Sequence, residues 1–179
     1  MSRFADRLHD AAAACGAPLV IGIDPLPDQI PALFGPPGLK AVSDFCEAMV
    51  ARAAGACAAL KPQLGFFEPF GADGFALAQR IAAQARDAGI PVILDAKRGD
   101  IGTTAQGYAR AAFDPAPCFD ADCVTINPYM GLDSLEPFLA AAQRLGKGVA
   151  VLVRTSNPGA RDLQDLDCGG APLWVRVAE

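Results

Sequence analysis

Val92-Ile93-Leu94-Asp95-Ala96-Lys97-Arg98-Gly99-Asp100-Ile101-Gly102-Thr103-Thr104 passes from an apolar run into a dense group of charges. The apolar part reads as a strand from Pro91 to Asp95. Alternation along an extended chain then places Asp95 and Lys97 on one face while Leu94 and Ala96 face the other way. Burying an acid and an amine side by side costs on the order of several kcal/mol per ion before pairing recovers part of it. Such a pair at the C-terminal end of a strand therefore points to chemistry, and this is the end at which β/α barrels carry their active sites. Thr103-Thr104-Ala105-Gln106 follows with the Thr-x-x-Gln form of a capping box, opening a helix to about Phe113.

The same pattern of an apolar run ending in a polar residue recurs on both sides. Further strands are expected over Leu19 to Ile23, Ala58 to Lys61, Cys123 to Ile126 and Gly148 to Arg154. Short continuous apolar runs suit strands covered on both faces, and Pro62 biases Lys61 toward extended geometry. Helices are expected from about Arg3 to Ala14, from Ser43 to Ala54 with Asp44 as N-cap and Glu47 three positions later, and from Phe75 to Ala88, closed by Gly89 in a left-handed position. Two more follow, from Asp133 to Leu145 and from Pro172 onward. Residues 25–39 hold five prolines and two glycines and read as a structured loop on the rim.

The polar residues that end or follow the strands, Asp24, Lys61, Asp95, Asn127 and Arg154, are separated by 37, 34, 32 and 27 residues, one β-α unit per interval. This rhythm predicts an α/β protein of the (β/α)8 TIM-barrel type. Eight units of about 30 residues need roughly 250 residues, so residues 1–179 would form a single partial barrel domain of about five units. An open, doubly wound sheet is the alternative.

Composition narrows the function classes. A chain of 179 residues has room for about one domain, and 52% apolar residues with 20% charged allow a sizeable core. The mean hydropathy of +0.25 agrees. With 15 Lys and Arg against 20 Asp and Glu, the net charge of -5 offers no cationic field for nucleic acid or anionic lipid. The segment after Met1 is charged, and Gly16 and Pro18 interrupt the apolar stretch behind it, which fits neither a secretory leader nor a membrane span.

Six cysteines (15, 46, 57, 118, 123 and 168) form no C-x-x-C pair. They read as buried free thiols of a reducing, cytoplasmic compartment. The only histidine, His9, falls in the first helix and reads as a surface residue, so neither a zinc site nor a Ser-His-Asp set is available. No Walker loop or Gly-x-Gly-x-x-Gly turn supports nucleotide-cofactor chemistry.

What remains is a set of strand-end charges of alternating sign, Asp24, Lys61, Asp95 and Lys97, expected to converge on one mouth. Alternating lysines and carboxylates can hold a proton for delivery to carbon while fixed negative charge faces a departing carboxylate. That arrangement suits proton transfer at a carbanion.

Asp95-Ala-Lys97-Arg-Gly-Asp100-Ile101-Gly-Thr-Thr104 resembles the Asp-x-Lys-x-x-Asp signature of the orotidine 5′-monophosphate decarboxylase family, and its Ala-Lys-Arg-Gly-Asp-Ile-Gly wording looks most like the bacterial type 2 branch. Supporting matches are Ile21-Gly-Ile-Asp24-Pro25, Leu60-Lys61-Pro62, Thr125-Ile-Asn127-Pro-Tyr129-Met-Gly131 and Arg154-Thr-Ser156-Asn-Pro-Gly159. The resemblance implies a TIM-barrel homodimer of pyrimidine nucleotide synthesis that makes uridine monophosphate from orotidine monophosphate without metal or organic cofactor.

Site roles come from the same resemblance. Lys97 would protonate C6 as the carboxylate leaves, with Asp95 beside that carboxylate and Lys61 and Asp100 completing the charge network. Asp24, Lys61 and Thr104 would hold the ribose hydroxyls, and Ser156 would contact the pyrimidine. Asp100 and Thr104 would be contributed to the neighbouring subunit's site. Asn127, Pro128 and Gly131 read as turn punctuation, and Arg98 as a solvated or interface charge.

The resemblance places the family's phosphate grip on loops after the last barrel strands, with an arginine and a glycine-rich turn, and nothing after Arg154 supplies them. The closing Leu173-Trp174-Val175-Arg176-Val177-Ala178-Glu179 reads as the start of a helix. The expectation is a chain truncated before the phosphate-binding strands. The alternatives are an inactive or non-catalytic remnant of the decarboxylase, and a magnesium-dependent sugar-phosphate aldolase-type enzyme, which shares Asp-x-Lys-x-x-Asp.

Overall fold

Every strand in the computed structural model, which describes residues 3–179, is parallel to its neighbour and follows it in chain order. Strand β1 (Val20–Ile23) pairs with β2 (Ala59–Pro62) from Val20↔Ala59 to Ile23↔Pro62. Bridges at Leu60↔Val92 and Gln63↔Asp95 join β2 to β3 (Ile93–Arg98). From there β3 pairs with β4 (Cys123–Ile126) and β4 with β5 (Gly148–Val151). A doubly wound sheet reverses its strand order at a switch point. Here each strand adds on the same side as the last, so that alternative is set aside in favour of a barrel arc. Five strands are present among the described residues, and the sheet is not closed between β1 and β5.

The helices are α1 (Phe4–Cys15), α2 (Leu39–Ala53), α3 (Gly71–Asp87), α4 (Gly102–Phe113), α5 (Leu132–Leu145) and the short α6 (Leu173–Ala178). In α3 the buried positions are Gly74, Leu77, Ala78, Ile81, Ala82 and Ala85. They recur at three- and four-residue steps and so form one stripe facing the sheet. Small residues in that stripe bring the helix close. A Cβ on Gly74 would lie 1.9 Å from the carbonyl oxygen of Phe67, so only glycine fits this crossing. Phe67, Phe113 and Phe138 are fully buried with Ile23, Leu60 and Ile126, each contributing about 1.5–3 kcal/mol by leaving water.

Several boundaries differ from the sequence reading, each for a local reason. Helix α2 starts at Leu39 behind Gly38, four residues before Ser43, because no residue after Pro37 stops it. Asp44 is therefore not an N-cap. It pairs with Lys40 at 2.6 Å inside the helix, and the carboxylate of Glu47 accepts from the Ser43 hydroxyl at 3.0 Å. Helix α3 starts at Gly71, directly after a 3-10 turn over Glu68–Phe70, rather than at Phe75, and Gly89 has the expected left-handed φ of 75°.

The N-cap of α4 is Ile101, with no side-chain cap, so Thr103 and Gln106 lie within the helix and make no capping box. Strand β3 runs on to Arg98, past Asp95, while β5 stops at Val151, three residues short of Arg154. The rim loop over 25–39 is ordered by two 3-10 turns, Pro27–Gln29 and Ala32–Phe34.

All six cysteines are free, but only Cys46, Cys57 and Cys123 are buried; Cys15, Cys118 and Cys168 are partly exposed, which corrects the uniform burial expected. Burial pushes the thiols of Cys46 and Cys123 up to about 12. No helix among the described residues is long and apolar enough to cross a membrane.

Candidate active site at the strand ends

Three neighbouring strands deliver polar side chains to one point. Lys61 stands near the end of β2 and Gln63 just beyond it, Asp95 and Lys97 lie on β3, and Thr125 lies on β4. Asp95 is only 6% exposed and sits at the centre. Its Oδ2 accepts from Lys61 Nζ at 2.9 Å and from Gln63 Nε2 at 3.1 Å. Its Oδ1 accepts from Lys97 Nζ at 2.6 Å and from Thr125 Oγ1 at 2.9 Å. A carboxylate offers about four lone-pair sites, and here all of them are filled.

The electrostatics follow from that geometry. Burial alone would raise the pKa of Asp95, but the hydrogen bonds from Lys97, Lys61 and Thr125 and the charge of Lys61 outweigh it, and the carboxyl is held below the ordinary carboxylate range. Asp95 is therefore an anion at neutral pH. The two lysine side chains keep 31% and 45% of their surface, so both ammonium groups remain open to the mouth of the arc. An ammonium carries three N–H groups. Lys97 uses one of them on Asp95 and has others to offer a ligand.

Lys97 reaches Asp95 by a route the alternation rule does not describe. The β3–β4 register runs through Leu94↔Val124 and resumes only at Arg98↔Ile126, so the intervening residues bulge. Within the bulge Lys97 takes a left-handed φ of 45°. The expected proximity of Asp95 and Lys97 holds, but the bulge, rather than a regular pleat, produces it.

The other candidates stand apart from this cluster. Asp24 is exposed at the end of β1 and makes no ion pair among the described residues, so three of the four strand-end charges meet and the fourth does not. Asp100 lies in the loop after β3, where its Oδ1 accepts from the Ile101 amide at 2.8 Å, and it touches neither lysine. Thr104 is exposed in the first turn of α4.

Ser156 is exposed after β5 and lines a cavity of about 460 Å³ with Arg154, Thr155, Asn157 and Arg161. Arg154 is turned to Asp165 at 3.3 Å and stacks 5.8 Å from the Trp174 ring centre. Arg98 pairs with Glu68 at 2.8 Å and lies over the Tyr108 ring, so it is held within the chain rather than free in solvent as one of the two expectations had it. Gly131, with a φ of 93°, and Asn127, whose Oδ1 accepts from the Tyr129 amide, form a turn as read. His9 is exposed on α1. Among the described residues no group of three or more His, Cys, Asp or Glu could hold a metal ion.

Gln63 and Thr125 were not singled out from sequence. The available signals were weak: Gln63 is two residues beyond Lys61 on an extended chain, and Thr125 is the one polar residue in the run Cys123-Val124-Thr125-Ile126.

Comparison with known proteins places this geometry among relatives. Residues 17–173 match the model of the Orotidine 5'-phosphate decarboxylase / HUMPS family. The Orotidine 5'-phosphate decarboxylase of Roseiflexus sp. (strain RS-1) is 48% identical over 162 residues, 90% of this chain and 56% of that protein. That of Dechloromonas aromatica (strain RCB) is 45% identical over 175 residues, 98% of this chain and 62% of the other. The structure of Leishmania donovani OMP decarboxylase superposes with a TM-score of 0.81 at 40% identity, covering 99% of this chain and 64% of that one. The chain thus spans less than two thirds of the length of these curated relatives.

Proposed function

The chain belongs to the Orotidine 5'-phosphate decarboxylase / HUMPS family, and from that premise we propose that its charge cluster serves the decarboxylation of orotidine 5′-monophosphate to uridine 5′-monophosphate. The observation that carries the proposal is the buried Asp95 carboxylate held between the ammonium groups of Lys61 and Lys97. In this reading the bond from C6 to the substrate carboxylate breaks, carbon dioxide leaves and the electron pair stays on C6. Lys97 then gives a proton to C6 as general acid. Fixed negative charge on Asp95 faces the substrate carboxylate, while Lys61 orients Asp95 and reaches the ribose.

The remaining roles belong to the same proposal. Asp24 and Thr104 bind ribose hydroxyls and Ser156 binds the pyrimidine. Asp100 and Thr104 act in the neighbouring site of a homodimer. Their separation from Lys61 and Lys97 within one chain supports that reading, as does the exposure of Ile101 beside Asp100. The Ala96-Lys97-Arg98-Gly99-Asp100-Ile101-Gly102 wording supports the type 2 branch. We also take residues 1–179 as one partial barrel domain acting in the cytoplasm.

The test is the loss of orotate absorbance when the purified chain meets orotidine monophosphate in the presence of a chelator. Turnover supports the proposal, whereas no loss of orotate absorbance together with magnesium-dependent cleavage of a sugar phosphate would redirect it to sugar-phosphate aldolase chemistry. The open sheet between β1 and β5 favours a second reading, in which this chain keeps the cluster but does not turn over alone. A folded protein inert toward the nucleotide would select it.

A further inference from the structure

The hydroxyl of Thr125 sits where the ladder between β3 and β4 breaks. Pairing is regular at Ile93↔Cys123 and Leu94↔Val124 and returns at Arg98↔Ile126. Across the gap the backbone amides of Ala96 and Lys97 donate to Thr125 Oγ1 at 3.0 and 2.9 Å, and that oxygen donates its own proton to Asp95 Oδ1 at 2.9 Å. A hydroxyl has one proton to give and two lone pairs to accept with. All three are committed, so this side chain has no rotational freedom left.

What those bonds hold is otherwise unfavourable. The φ of 45° at Lys97 is a conformation that residues with a Cβ rarely adopt, and such strain persists only where the surroundings over-determine it. The Thr125 hydroxyl acts on both ends of the Lys97–Asp95 pair, through the amide that carries the amine and through the carboxylate that receives it.

We propose that Thr125 is a positioning residue: its hydroxyl fixes the backbone of the bulge and the plane of Asp95 together, and so sets the direction in which Lys97 Nζ points into the mouth. The part of this inference that concerns catalysis rests on the decarboxylase reading; the part that concerns geometry does not. Serine can make the same three bonds. Valine, of the same shape, can make none, and would leave two amide donors and one carboxylate acceptor short.

The experiment compares Thr125→Val and Thr125→Ser with the unaltered chain by carbon-13 NMR of the Asp95 carboxyl and by amide exchange at Ala96 and Lys97. Expected for Thr125→Val are an Asp95 titration at higher pH and a roughly tenfold or greater loss of protection at both amides, with Thr125→Ser restoring both. If the chain turns over orotidine monophosphate, kcat should fall roughly 10- to 100-fold with KM little changed, as for a misplacement of about 1 Å, and serine should rescue it. A valine variant with unaltered titration and exchange overturns the proposal whether or not the chain is active. Shifted titration in a chain without turnover would sink the decarboxylase reading of this chain and leave the positioning role standing. If Thr125→Val does not fold, Thr125→Ala against Thr125→Ser reads the same hydroxyl, and equal behaviour of that pair overturns the proposal.

Discussion

Replacing Asp95 by asparagine keeps the shape of the side chain and removes its charge, so the loss measures the cluster alone. Each oxygen of Asp95 now serves two donors. An amide must present an N–H on one side, where it faces either the Lys61–Gln63 pair or the Lys97–Thr125 pair. Breaking a buried ion pair by deleting one partner costs about 3–5 kcal/mol. The lysines here keep 31% and 45% of their surface and can be rehydrated, so that figure must be discounted for solvent, leaving about 2 kcal/mol for Asp95→Asn.

The pH dependence fixes the sign. Because the folded carboxyl is held below its unfolded value, the stabilisation is complete above the unfolded pKa of about 3.9 and is lost as pH falls through the folded pKa. Urea unfolding of both proteins should show a gap of about 2 kcal/mol that is constant from pH 7 down to about 5 and narrows below. A gap that stays constant through the acid range, or a variant as stable as the parent at pH 7, would refute the reasoning.

Further outcomes are expected at two glycines, at Lys97 and at the cysteines. Gly74→Ala should destabilise by about 1–3 kcal/mol despite alanine's better helix propensity, because the new Cβ meets the Phe67 carbonyl; Gly107→Ala in α4, where a Cβ meets nothing within 4 Å, should stabilise by about 0.5–1 kcal/mol, and denaturation midpoints read both. Lys97→Ala should abolish decarboxylation in an active preparation while uridine monophosphate still binds, and retained turnover would remove Lys97 as proton donor. Lys97→Gly should be more stable than Lys97→Ala by about 1 kcal/mol because glycine accepts a left-handed φ; equal stability in denaturation would argue against strain at this position. A thiol reagent at pH 8 should label the partly exposed Cys15, Cys118 and Cys168 and spare Cys46 and Cys123, with peptide mass analysis as the readout.

The parts of this molecule that were legible in the sequence are those where composition changes sharply over a few residues. Lys61, Asp95 and Lys97 end or follow apolar runs, and a charge in that place has few structural uses. The five strands and the helices between them were legible for the same reason, since hydrophobic periodicity sets the register of both.

Caps and bulges were not. Asp44 and Thr103 are residue types that cap helices, but whether they do so depends on where the preceding loop releases the chain, at Gly38 and Ile101. The left-handed turn at Lys97 had no glycine to announce it. Gln63 and Thr125 are neutral, and only the fold reveals that both point their donors at one carboxylate. Asp24 shows the converse: a strand-end charge that makes no ion pair among the described residues.

Helix α1 has no buried residue of its own, yet it is fastened to residues far along the chain, around the starts of β4 and β5. Phe4 fills the space beside Gly148, where a Cβ would come within 2.3 Å of its ring. Arg7 donates to the carbonyl of Gly146 at 3.0 Å and to Asp122 at 2.8 Å. These partners lie 139 and 115 residues away along the sequence. During synthesis, at about 5–20 residues per second, α1 therefore leaves the ribosome on the order of ten seconds before its docking surface is made. Until that surface exists the helix has nothing to dock on, and a protease or chaperone acting on the nascent protein would meet it before β5 does.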